Sequence, residues 1–226
     1  MGLLLAAGSA VRAQRTSRIS LTESFAVNGT SFTVGGTGAY NYRAGQGQLA
    51  LTTMGKTTTL VITKDTFYAM PPAGAPGSAS TPWISIPTSA VLSQQGQSQL
   101  SATDPTQSFD EFAALSGVHV VDTEKVRGVQ TTHHAGAADP HKSLTTLAPA
   151  LRSQVETAFK GVTVVPVDIW LDAQGLPRRY RTMFTTTVQG KSLTVATTYE
   201  LFDFGTPVTV TIPPTSQVTR RTSLTG

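Results

Sequence analysis

The sequence predicts an α+β domain: one curved antiparallel sheet with about three short helices against its concave face. Three observations point there. Stretches of period-two alternation follow one another between turn residues along most of the chain. Three other stretches switch to helical spacing. The composition is 39% hydrophobic but only 13% charged, against about a quarter charged in an average soluble domain. At 226 residues the chain can bury a sizeable core in one unit. We expect a single domain over 1–215 and a polar basic tail over 216–226.

The chain opens on "LLLAAGSAVRAQRTS". As a helix, this stretch places Leu3, Leu4, Ala7, Ala10 and Val11 on one side and Ser9, Arg12 and Arg15 mostly on the other, with Gly8 a modest penalty. As part of an export signal it has a suitable apolar core, but it lacks a basic segment and sufficient length. From Arg18 to Met70, "RISLTESFAV", "TSFTVGG", "GAYNYR", "GQLALTTM" and "TTTLVITK" read as successive strands joined through "VNGT", "AGQG" and "MGK". Alternation sets Leu49 and Leu51 against Ala50 and Thr52, and Leu60 and Ile62 against Val61 and Thr63. Pro71 to Thr81 is a flexible loop, and "STPWISIP" is a short strand anchored by Trp83.

In "ATDPTQSFDEFAALSG", Asp104 is placed to cap a helix beginning at Pro105, and Phe109, Phe112 and Leu115 recur at helical spacing before Gly117 closes it. Another helix, from about Pro149 to Lys160, carries Leu151, Val155, Ala158 and Phe159 on one side and ends at Gly161. Between them "GVHVVDTEKV" and "RGVQTTHHAGAAD" are strands. After them "VVPVDIWLD", "RRYRTMFTTTV" and "SLTVATTYELFDF" form a meander through "DAQG" and "QGK".

Charge and motifs narrow the chemistry. The net charge of +4 is scattered, apart from Arg178, Arg179, Arg181 and the pair Arg220 and Arg221, so nucleic acid is not expected as a partner. No apolar run reaches the ~18 residues of a membrane span. Without cysteine there is no disulfide and no thiolate chemistry. His133, His134, Asp139 and His141 are residue types that zinc accepts, but adjacent residues of a strand point to opposite faces, so no metal site is expected. No serine sits in a G-x-S-x-G elbow. Asp168 and Asp172 share a strand face, as a glycosidase pair would, but Asp172 starts the "DAQG" turn, where its side chain bonds the backbone. No phosphate-binding or dinucleotide loop follows a strand. Neither an enzyme nor a cofactor is therefore expected.

The motifs "VPVDIWLDAQGLPRRYR" and "TYELFDFGTPVTVTIPP", with "GAYNYRAGQGQLALT" and "EKVRGVQTTHHAGAAD", resemble the LppX/LprG-type envelope lipoproteins of actinobacteria, relatives of LolA-like carriers. The likeness runs in order from about Arg18 to Pro214, and each motif is moderately specific. It implies a half-open antiparallel β-barrel whose concave side is covered by helices and encloses a cavity for acyl chains. The implied function is non-enzymatic binding or transfer of envelope lipids or lipoglycans; the alternative is an envelope sensor or protein-interaction domain on the same fold. The expected wall is Leu49, Leu51, Leu60, Ile62, Trp83, Phe112, Leu151, Val155, Phe159, Ile169, Leu171, Phe184, Leu193, Val195 and Tyr199, with ordinary core as the alternative for each.

Arg178, Arg179 and Arg181 are expected either at an anionic head group or as a solvated edge. The expected partners are a lipid or acylated glycolipid and a membrane surface, with the protein acting as a monomer. The expected location is the cell envelope, at the outer face of the plasma membrane or secreted. Family members carry a signal peptide ending in a lipidated cysteine, which this sequence lacks, and they place a helix immediately before the "SRISLTES" strand. The N-terminal stretch is accordingly expected to be that helix, part of the cover over the cavity.

Overall fold

Period-two alternation becomes one open, curved sheet in the computed structural model, which describes residues 2–27, 29–72, 81–88, 90, 104–111, 115–142, 152, 156, 159–188 and 190–222. In chain order the elements are α1 (Leu3–Ala13), β1 (Thr16–Val27), β2 (Thr30–Asn41), β3 (Gln46–Thr53), β4 (Lys56–Ile62), β5 (Thr66–Met70) and β6 (Trp83–Pro87), then α2 (Gln107–Glu111), β7 (Leu115–Val126), β8 (Val129–Ala138), β9 (Val165–Leu171), β10 (Pro177–Val188), β11 (Lys191–Phe202) and β12 (Val218–Arg220). The strands lie in the order β12-β6-β5-β4-β3-β2-β1-β11-β10-β9-β8-β7. Two meanders thus meet where β1 pairs antiparallel with β11, Leu21 opposite Tyr199.

Register decides which residues face inward. Leu21 lies opposite Gly36 and Tyr199, and Tyr199 opposite Tyr180, so one row of side chains crosses four strands on one face. That face packs against α1, whose buried side is Leu4, Ala7, Gly8 and Val11. Phe109 of α2 meets the Tyr180 ring edge-on at 5.0 Å, and Phe159 meets Phe184 at 4.7 Å. The N-terminal stretch is therefore a helix docked on the concave face. Its apolar stripe is what a 3.6-residue repeat produces from these residues.

Four expectations change. "TSFTVGG" and "GAYNYR" form the single strand β2. Their glycines are not a break but a close approach: a Cβ on Gly36 would meet the Leu51 side chain at 2.5 Å. The helix expected to run to Gly117 is described over Gln107–Glu111, and Leu115 already belongs to β7, whose β-branched run pairs with β8. Gly117, at φ +63°, sits where that pairing shifts register. Within the segment expected as a polar tail, Val218–Arg220 adds to β6 in parallel and pairs its outer edge. Finally, α1 and α2 are the two α-helices among the described residues, where about three were expected. Arg152 and Glu156 have helical backbone, but Phe112, Leu151, Val155 and Ala158 lie outside the described residues, as do 73–80 of the expected loop.

Candidate functional site

The concave face has two halves. At the root, where α1 leads into β1 and β11 ends, Ile19, Leu21, Tyr180, Tyr199 and Leu201 are buried in one cluster with Leu4, Ala7 and Val11. At the tip, near the β1–β2 and β10–β11 hairpin turns, the inward positions are still apolar but are less covered. Phe25, Val34, Phe184 and Leu193 are half-buried, and Phe32, stacked on Phe25 at 4.8 Å, is 41% exposed.

A polar row separates the halves. Glu23, Thr197 and Thr182 are consecutive cross-strand neighbours on β1, β11 and β10, flanked by Val34 of β2 and Val167 of β9. All three polar residues are buried, Glu23 to 4% exposure. The Thr197 hydroxyl donates to Glu23 Oε1 at 3.3 Å. Burial pushes the Glu23 carboxyl up to about 7, with the Thr197 bond acting the other way.

The root end is closed by polar contacts. Arg12 of α1 donates to the Thr106 hydroxyl at 2.9 Å, and Thr106 donates to Asp104 through both its N–H and its hydroxyl. Asp104 thus holds a turn just before α2, which begins at Gln107 and not at Pro105 as expected, so Asp104 is not its cap. Burial raises the Asp104 carboxyl, while the Thr106 bonds and Arg12 hold it down. A cavity of about 380 Å³ opens beside it, walled by Tyr40, Tyr42 and Ile62 and by the basic Arg43 and Lys64. Burial raises both tyrosines, and Tyr42 shares a 2.7 Å hydrogen bond with Ser17.

The convex face carries most of the charge. Trp170 is stacked under His133, centroids 4.1 Å apart, and the Arg179 guanidinium lies 5.1 Å above its ring. His133 Nε2 is 2.8 Å from Asp168 and Nδ1 is 3.4 Å from Asp122. Arg179 pairs with Glu200 and Glu124, and Arg127 pairs with Glu200. Arg181 is exposed on the same face. Arg178 sits at the rim, bonded to Asp172 at 2.7 Å and bordering a cavity of about 280 Å³ with Val126, Leu201 and Phe202. Asp172 accepts the backbone N–H groups of Gln174 and Leu176, as its turn position predicts. His134 takes the concave parity, opposite Ile169; burial and then His133 hold it below the ordinary imidazole range.

The expected wall residues are thus distributed. Leu49, Leu60, Ile62, Ile169 and Tyr199 are core of the root half, with Leu51, Leu171 and Phe184 packed against it. Val195 and Leu193 lead out to the tip. Trp83 falls elsewhere. The inward positions of β6 are Ile84 and Ile86, and Trp83 pairs beside Val218 with the opposite parity. Glu23 had no place in the sequence reading, although its position in the inward series Ile19, Leu21, Glu23, Phe25 was there to be read.

No protein-family model matches the chain. An uncharacterized 31.2 kDa protein of Streptomyces griseus, from the rplA-rplJ intergenic region, is 30% identical over 168 residues, or 68% of this chain and 53% of that protein. The chain spans about half the length of that relative. Among solved structures, the Mycobacterium tuberculosis lipoprotein LppX matches over 92% of this chain and 98% of its own at 14% identity, with a TM-score of 0.52. This chain has the LppX fold. LprF of Mycobacterium bovis matches over 93% of this chain and 95% of its own at 15% identity, with a TM-score of 0.47. The LppX fold is the one expected from the sequence resemblance: one open sheet with its helices on the concave face. No helix among the described residues is long and apolar enough to cross a membrane.

Proposed function

We propose that this domain holds the acyl chains of an envelope lipid or lipoglycan against the tip half of its concave face, without chemistry of its own. The observation that carries the reading is the apolar, incompletely covered surface of Phe25, Phe32, Val34, Phe184 and Leu193, continuous with a fully packed root. An acyl chain laid there gains about 0.8 kcal/mol per buried methylene, and the rigid sheet presents the surface already formed. None of the three arginines expected at a head group borders the tip: Arg178 lines a cavity at the root end and is paired with Asp172, and Arg179 and Arg181 lie on the convex face. The natural setting of this reading is the cell envelope.

The test is native mass spectrometry of protein isolated from its own envelope without delipidation, followed by titration with a fluorescent acyl probe. Bound lipid in a fixed ratio is expected, with at least tenfold weaker probe binding in Leu193→Glu at an unchanged melting temperature. Protein that carries no lipid and binds no probe would overturn the reading.

One feature favours a second reading, as a protein-interaction domain. The outer edge of β7 pairs with no strand among the described residues, and Val118, Val120 and Val121 on it are exposed. Such an edge suits an added partner strand. A specific protein recovered by cross-linking through β7, from a protein free of lipid, would favour it.

A further inference from the structure

The row formed by Glu23, Thr197 and Thr182 lies where a solid core gives way to an apolar surface, and a solid core needs no carboxyl there. Every other inward position of β1 between Ile19 and Val27 is apolar. A buried carboxyl costs several kcal/mol unless it is neutral or well bonded. Glu23 has one hydrogen bond among the described residues, a 3.3 Å contact in which it accepts from Thr197. In its neutral form, which burial favours, the carboxyl carries an O–H that must be donated somewhere, and a buried donor without an acceptor is disfavoured. No lysine, arginine or histidine stands at the cross-strand positions beside it on β2, β11 or β10, which are Val34, Thr197 and Thr182. The Thr197 hydroxyl is spent on Glu23, so the donors the row can offer are the protonated Glu23 carboxyl and the Thr182 hydroxyl, in apolar surroundings. Their natural complement is an uncharged acceptor oxygen on an otherwise apolar molecule.

We propose that Glu23, flanked by the hydroxyls of Thr197 and Thr182, is an internal anchor for the ester or amide carbonyl of the bound amphiphile. The acyl chain lies on Phe25, Phe184 and Leu193, and the carbonyl oxygen accepts from the Glu23 carboxyl at the boundary between the halves. This inference rests on the lipid-binding reading and deepens it: the tip surface supplies affinity for any apolar chain, and Glu23 selects chains that carry a carbonyl. Ordinary core packing does not require that selectivity.

Two probes of equal length separate the claims: pyrene-labelled decane, and the methyl ester of pyrene-labelled decanoic acid. The wild-type chain is expected to bind both, the ester ~10-fold more tightly, about the worth of one net hydrogen bond. Glu23→Leu is expected to bind both probes equally. Glu23→Gln, whose amide still donates, is expected to keep the preference. The infrared carbonyl stretch of the bound ester is expected at lower frequency in wild type and Glu23→Gln than in Glu23→Leu. If Glu23→Leu does not fold, Thr197→Val and the wild-type infrared shift decide.

Equal binding of the two probes by wild type, or an ester preference that survives Glu23→Leu, overturns the anchor and leaves lipid binding intact. Failure of wild type to bind either probe removes both.

Discussion

Along β1, Ile19 and Leu21 are buried, Glu23 follows, and Phe25 and Val27 are half-exposed. β11 runs the other way, from buried Leu201 and Tyr199 through Thr197 and Val195, also buried, to half-buried Leu193. The same strands, with the same alternation, thus run from a closed root half into an open tip half. What differs is the material laid over them. Among the described residues, the root lies under α1, α2 and their apolar side chains, while beyond the polar row Phe159 packs on Phe184 and Phe32 stays exposed. Alternation specifies which face is inward, but the helices decide how much of it is sealed.

This contrast can be broken from its closed side first. Phe109→Ala removes a ring that is 1% exposed and fills the space between Gly8 and Tyr180. It is expected to cost about 3–5 kcal/mol in chemical denaturation. A loss below about 1 kcal/mol would mean the root is not a packed core.

The boundary comes next. The Glu23 carboxyl titrates near 7 in the folded chain against an ordinary 4.5, so between those values the folded state keeps a proton that the unfolded state has released. Its contribution is fully present below pH 4.5 and is lost as pH rises through 7, by up to about 3 kcal/mol. Stability measured from pH 4.5 to 8 should fall on that account, and Glu23→Gln should flatten this part of the profile. An identical profile in the variant would remove Glu23 from the interior.

Gly38→Ala tests the sheet of the root, where Gly38 lies opposite Ile19. Its Cβ would collide with the Gln48 carbonyl oxygen and the Leu49 side chain, for an expected cost of about 1–3 kcal/mol. On the open side the stability effect shrinks while the binding effect grows. Phe32→Ala, at 41% exposure, should change stability by less than about 1 kcal/mol yet weaken an acyl probe several-fold by titration. Arg181→Ala on the convex face should change stability by less than about 0.5 kcal/mol and leave probe binding unaltered.

The strands were largely legible because their signals are local. Turn residues separate them, and inward apolar residues recur at every second position. Thus Leu60 with Ile62 and Tyr180 with Phe184 share the faces that alternation assigns. The polar role of Asp172 was equally local, being set by the turn it begins. Misreadings arose where a local signal had a distant cause. The glycines of β2 stand where two successive strands were expected, but they lie within one strand and give room to Leu49 and Leu51 on the neighbouring strand. Leu115 fitted a helical repeat but belongs to β7, whose pairing with β8 outweighs three apolar residues at helical spacing. Trp83 was assigned inward on size alone, against the parity of its own strand.

The sequence by itself determined a β-rich fold, the inward face of nearly every strand and an amphipathic N-terminal helix. These depend on spacing and composition, which involve only neighbours along the chain. The tertiary structure decided that residues 174 positions apart, Glu23 and Thr197, would share a buried bond. It also decided that the arginines of β10 would be divided between rim and convex face, and that one concave surface would be sealed at the root and open at the tip. Those outcomes depend on which distant segments pack over a strand, and no periodicity along the strand encodes that.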